Sequence, residues 1–193
     1  MDGRLRKTVE EIRAAGRLDG VTTRIVAVDG PGGAGKSSLA EWLARRLGGV
    51  PTIQTDDFAS WDEPLDWWPR LLDEVLEPLA AGRAAEFVPT SWDGRARDPV
   101  VVEPADFAIL EGVSSSRAAF RPYLAYSIWV ETPREVRLAR GLARDGESMR
   151  ARWDEWMAAE DRYVQDERPA EHVNLILPGD ADLWVLGRGT SGP

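Results

Sequence analysis

The chain has 193 residues with 33 acidic and 24 basic side chains, a net charge of -9, nine Trp, one His and no Cys. That length suits one ordinary domain with a sizeable core, and the lack of Cys excludes disulfides, thiolate metal sites and a cysteine nucleophile. His172 alone cannot build a His-rich zinc site, and the negative field repels nucleic acid and acidic membrane surfaces.

Residues 4–18 place Leu5, Val9, Ile12 and Leu18 at helical spacing. The run lacks the apolar centre of a signal peptide. No stretch approaches the roughly 18 apolar residues of a membrane span, so no membrane contact and a cytoplasmic location are expected. Arg24 to Asp29 is a short apolar run that predicts a buried parallel strand. A glycine-rich loop follows, and residues 37–47 read as a helix ended by Gly48-Gly49. Residues 51–55 predict a second strand closing on Asp56-Asp57, and a Trp- and acid-rich stretch leads into a helix over about 69–81. Residues 87–102 read as loop with room for a hairpin. Further strands are expected at 107–110, 126–130 and 173–177, with a short sixth at 183–186. Pro133 opens a helix running to about 144, and another covers 149–165. Alternating strands and helices predict an α/β, doubly wound parallel sheet in one domain over residues 1–193.

The segment Gly30-Pro31-Gly32-Gly33-Ala34-Gly35-Lys36-Ser37 satisfies G-x-x-x-x-G-K-[ST], with a strand before it and a helix after it. Glycines let backbone N–H groups turn inward around phosphate oxygens, and the helix N-terminus adds a positive dipole end. Lys36 would reach the β- and γ-phosphates and the Ser37 hydroxyl would ligate Mg²⁺. The basic residues underline the point: 22 are Arg, and only Lys7 and Lys36 are Lys. A compact ammonium fits a tight cradle that a planar guanidinium does not. The spacing Gly30-x-Gly32-x-x-Gly35 also meets the dinucleotide fingerprint, with Asp56 near the ribose-binding position. A NAD-binding oxidoreductase is therefore an alternative, although Lys36-Ser37 has no role in it.

Asp56, Asp57 and Glu111 fall at the carboxyl ends of predicted strands, where open α/β sheets bind ligands. Carboxylates near Mg²⁺ and near an acceptor hydroxyl are what phosphoryl transfer requires, and a cap or turn is the competing role for Asp56-Asp57. Arg137, Arg140 and Arg144 share one helix face and could close over phosphates, or form a solvated basic face.

The motifs together resemble the uridine kinase-like family of P-loop kinases, which includes phosphoribulokinase and a bacterial pantothenate kinase. The resemblance runs from about residue 24 to 179. It rests on Asp29 to Ser38, Thr55-Asp56-Asp57-Phe58, Ile109-Leu110-Glu111-Gly112-Val113 and the segment Val136 to Asp145. It implies a three-layer sandwich of the P-loop NTPase kind, a five-stranded parallel sheet flanked by helices, with a mobile helical lid near 137–165. It implies ATP and Mg²⁺ as cofactors and a small-molecule alcohol as acceptor. Gly30, Gly32, Gly33, Ala34, Gly35, Lys36, Ser37 and Ser38 would bind the nucleotide, and Ser37, Asp56 and Glu111 the metal. Asp56 would activate the acceptor, Lys36, Arg140 and Arg144 would neutralise charge, and Asp66, Trp92 and Asp93 would lie near the acceptor. Departures cluster at the acceptor side. Asp57-Phe58-Ala59 stands where nucleoside kinases of the family have Ser then Phe-Tyr, and Trp92-Asp93-Gly94 stands for Tyr-Asp-Phe. Arg95 and Arg97 nearby suit an acidic or phosphorylated acceptor. In the lid, Gly141 follows Arg140 where a doubled Arg is usual. A nucleotide-hydrolysing switch without a small acceptor is the runner-up, and association into a homo-oligomer is left open.

Overall fold

Strand β1 (Arg24–Asp29) is the centre of the molecule: its five residues from Ile25 to Asp29 are all buried, and it pairs with a neighbour on each side. The computed structural model describes residues 2–61, 63–92 and 95–179. Five strands form one parallel sheet in the order β2-β5-β1-β6-β7, where β2 is Thr52–Gln54, β5 Phe107–Glu111, β6 Leu124–Glu131 and β7 Leu175–Pro178. Counting these five alone, the order is second, third, first, fourth, fifth. The dinucleotide-binding fold runs third, second, first, fourth, fifth, so the NAD alternative does not fit this sheet.

Side chains alternate across a strand, and the alternation divides the core into two layers. Val26, Val28 and Ile109 face helices α1 (Asp2–Ala14) and α2 (Lys36–Arg46) through Ile12, Leu39 and Leu43. Ile25, Ala108 and Leu110 face the opposite side and meet Leu71, Val75, Leu76 and Leu79. Those four belong to α3 (Trp68–Leu71), a π-helical turn at Leu72–Leu76, and α4 (Glu77–Ala80), wound as one continuous element. Within the turn the Glu77 N–H reaches back five residues to the Leu72 carbonyl. Pro78 follows directly and has no N–H to offer the carbonyl four residues before it. Helices α5 (Arg134–Asp145) and α6 (Arg150–Glu167) pack on each other through Leu142, Trp153 and Met157.

Several boundaries differ from the sequence reading. The first helix stops at Ala14 rather than near 18. The strand expected at 51–55 is cut to three residues, because Thr55–Asp57 turns into a 3₁₀-helix. The hairpin within 87–102 exists as β3 (Ala85–Phe87) and β4 (Val100–Val102), an antiparallel pair outside the main sheet. The strand expected at 183–186 lies outside the described residues.

Candidate active site

Between the end of β1 and the start of α2 the chain makes a tight loop that only glycine can follow. Gly30, Gly33 and Gly35 have φ of 145°, 75° and 102°, a region that side chains with a Cβ rarely enter. At Gly33 a Cβ would also stand 2.6 Å from the Arg137 carbonyl oxygen. Gly35 caps α2, so the loop amides and the helix dipole converge on one spot. Lys36 is only 7% exposed and its Nζ donates to the Pro31 carbonyl at 3.0 Å. The Thr132 hydroxyl and Arg140 Nη1 hold the Ala34 and Gly33 carbonyls at 3.0 and 3.3 Å. A glutamate of α6, Glu160, accepts from the Gly32 N–H at 2.6 Å.

Beneath the loop, Asp29 at the end of β1 is fully buried and accepts from five donors. They are the N–H groups of Gly30, Ser114 and Ser116, the Ser116 hydroxyl and the Tyr163 phenol. This hub ties β1, the segment after β5 and α6 to the base of the loop.

Glu111 ends β5, on the strand next to β1. It accepts from the Ser37 hydroxyl at 3.3 Å. Burial pushes its carboxyl above the usual range, Lys36 and the Ser37 bond pull it back, and Asp56 adds to the rise. Asp56 sits in the 3₁₀ turn after β2 and lines the same cavity as Lys36, Ser37 and Glu111. Asp57, its neighbour, is not among the described lining residues. Its carboxyl is raised by burial and by Asp56, with Arg97 opposing. The turn therefore separates the two acids. Among the described residues no cluster of three His, Cys, Asp or Glu forms a metal cage. One hydroxyl and two carboxylates are instead the partial oxygen shell with which Mg²⁺ is held when phosphate oxygens and water complete it.

Over the cavity hang Arg140 and Arg144 of α5. Arg144 is engaged twice by Asp145, at 2.7 and 2.9 Å, and stacks over the Trp153 ring at 5.7 Å. Arg137 does not join them. It is buried under the loop, with Nη1 on Glu160 at 3.0 Å and Nε on the Thr132 carbonyl at 3.1 Å. The expected three-arginine face thus divides into one buried brace and two cavity residues. Gly141 has its own reason, since a Cβ there would collide with the Trp153 indole. The departure from a doubled Arg makes room for a ring.

The cavity has a volume of about 620 Å³. Its far wall is aromatic: Trp92 meets Trp61 and Trp156 with ring centroids 5.2 and 5.8 Å apart. Trp92 Nε1 donates to the Asp56 carbonyl at 2.9 Å, which ties this wall to the acid beside it. Asp66 is exposed in the turn before α3 and is not among the described lining residues, so the expected acceptor role has no support here. Acid-rich stretches favour turns on their own account. Asp93 lies outside the described residues. Arg95 and Arg97 are exposed and are not among the described residues lining the cavity. Sequence reasoning missed Trp61, Trp153, Trp156, Glu160 and Tyr163. A signal for four of them was present, because 153, 156, 160 and 163 recur at helical spacing along one stripe of α6.

No protein-family model matches the chain, and no curated protein matches it either. Solved structures do. The chain is similar to a protein described as a possible uridine kinase from Bacillus stearothermophilus, at 18% identity, with 91% of this chain and 98% of that one covered and a TM-score of 0.69. It is also similar to a candidate fructose transport system kinase from Silicibacter sp., at 20% identity, 90% and 98% coverage and a TM-score of 0.60.

Proposed function

We propose that this chain, which has the fold of the uridine kinase-like P-loop kinases, is an ATP- and Mg²⁺-dependent kinase that transfers the γ-phosphoryl group to the hydroxyl of a small molecule. One observation carries the reading. Lys36, Ser37, Glu111, Asp56, Arg140 and Arg144 all line a single cavity at the carboxyl ends of the strands. That is the set phosphoryl transfer needs, since its catalysis is mostly positioning and charge neutralisation.

In this reading the loop amides and the α2 N-terminus hold the nucleotide phosphates. Lys36 leaves the Pro31 carbonyl for a phosphate oxygen, a stronger charge-assisted bond. Ser37, Asp56 and Glu111 would hold Mg²⁺, which when bound supplies positive charge between the phosphates. Asp56 would accept the proton of the acceptor hydroxyl, and Arg140 and Arg144 would neutralise charge on the transferring group. The roomy cavity with its indole wall favours a kinase over a hydrolase without a small acceptor, which needs no such space.

Calorimetric titration with MgATP tests the reading. Wild type should bind, and Lys36→Ala should lose binding while keeping its circular dichroism spectrum. Unchanged affinity in the variant would refute the assignment. ADP release across a panel of small alcohols then identifies the acceptor.

A further inference from the structure

Glu160 is 1% exposed, yet it holds partners from three parts of the molecule. Its Oε1 accepts from the Gly32 N–H of the phosphate loop and from the Trp156 indole N–H, each at 2.6 Å. Its Oε2 accepts from Arg137 Nη1 at 3.0 Å. Trp156 in turn packs on Trp92 and Trp61, with centroids 5.8 and 6.1 Å apart. One buried carboxylate therefore stands between the loop and the aromatic wall.

A buried carboxylate is costly unless it is paired and hydrogen-bonded. Burial does push this carboxyl above its usual range, while the Gly32 amide, Lys36, Arg137 and Trp156 oppose the rise. A brace between α5 and α6 would require only the Arg137 pair. The second oxygen adds something a brace does not need, because it joins two walls of the same cavity.

We infer that Glu160 is a positioning residue that couples occupancy of the aromatic wall to the geometry of the phosphate loop, through the single oxygen shared by the Trp156 indole and the Gly32 amide. The inference rests on the nucleotide-site reading given above. Two donors on one oxygen compete and polarise one another. When a ligand repositions Trp156, its grip on Oε1 changes, and the Gly32 amide feels the difference. Arg137 keeps the carboxylate from leaving with either partner. Acceptor and nucleotide then bind with linked free energies, and the linkage is reciprocal.

The test is amide hydrogen exchange at Gly32, read by NMR in wild type, Trp156→Phe, Glu160→Met and the double variant, alongside calorimetric MgATP titration of each. Trp156→Phe keeps an aromatic ring on the wall and removes the indole N–H together with the pyrrole half of the bicycle. It should change Gly32 exchange by about tenfold, the scale of a hydrogen bond to a charged group, and shift MgATP affinity roughly fivefold or more. Glu160→Met, which has no oxygen to share, should also disturb Gly32, and adding Trp156→Phe to it should then have no further effect there. A residue that only braced α6 would instead raise exchange along α6 and leave Gly32 no more affected than the rest. Gly32 exchange unmoved by Trp156→Phe, in a chain that binds MgATP, overturns the inference alone, and that result needs no Glu160 variant to fold. A wild-type chain that fails to bind MgATP overturns the nucleotide-site reading and the inference with it.

Discussion

The Tyr163 phenol donates to Asp29 Oδ2 at 2.6 Å, joining residues 134 apart in sequence and pinning α6 to the base of the phosphate loop. Burial and Asp29 together raise the Tyr163 pKa well above 10.0. The folded state thus keeps the proton that makes the phenol a donor. Tyr163→Phe should lower stability by about 1.5–3 kcal/mol, the usual cost of losing a hydrogen bond to a charged group. The sign with pH follows from the raised value. The contribution is complete below pH 10 and is lost as pH rises beyond it, so the variant should lose less of its remaining stability on the alkaline side. Urea unfolding of both chains at neutral pH and above pH 10 checks both statements.

Gly141→Ala should destabilise the α5–α6 unit. Alanine normally gains up to about 1 kcal/mol over glycine within a helix, but here its Cβ would enter the Trp153 ring. Overpacking of this kind costs roughly 1–3 kcal/mol, so the balance should be a loss. A melting temperature at or above that of wild type would show that Trp153 repacks freely.

Asp56 and Asp57 are adjacent and should not be equivalent. Only Asp56 is among the described residues lining the cavity, and a positioned base contributes about 10²- to 10⁴-fold. Asp56→Asn should lower kcat by roughly 10²-fold or more with ATP affinity largely kept, whereas Asp57→Asn should cost clearly less. Steady-state kinetics of the two variants side by side decide it. A dead Asp57→Asn beside a near-normal Asp56→Asn would move the role to the other acid.

The acceptor should carry no phosphate of its own. The cations that line the cavity, Lys36, Arg140 and Arg144, are those the proposed function assigns to the nucleotide phosphates, which leaves the indoles and the Asp56 carboxylate for the acceptor, and like charges brought together are strongly disfavoured. A phosphorylated alcohol should react at least about tenfold less efficiently than the uncharged alcohol of the same skeleton. Matched pairs in a coupled ADP-release assay provide the comparison, and equal turnover would contradict it.

What could be read from sequence is what is local. The Gly30–Ser37 pattern carries its own geometry, because each required residue type stands within eight positions. The buried strands announce themselves as apolar runs, and Glu111 and Asp56 follow from standing at strand ends. Glu160, Trp156 and Asp29 were illegible in role because their partners come from elsewhere in the chain, with Glu160 and Gly32 lying 128 residues apart. Asp66 is ambiguous for the opposite reason. An acid beside aromatics reads the same whether its turn faces a cavity or solvent.

The near-monopoly of arginine among the basic residues has a chemical corollary. An acylating reagent that ignores guanidinium groups meets two side-chain amines in the whole chain, Lys7 and Lys36. Lys7 is 75% exposed, while Lys36 lies within the loop against the Pro31 carbonyl. The molecule therefore carries a reactivity gauge of its own. Modification of Lys7 supplies the internal standard, and the yield at Lys36 reports how far the cradle is filled, with no engineered label.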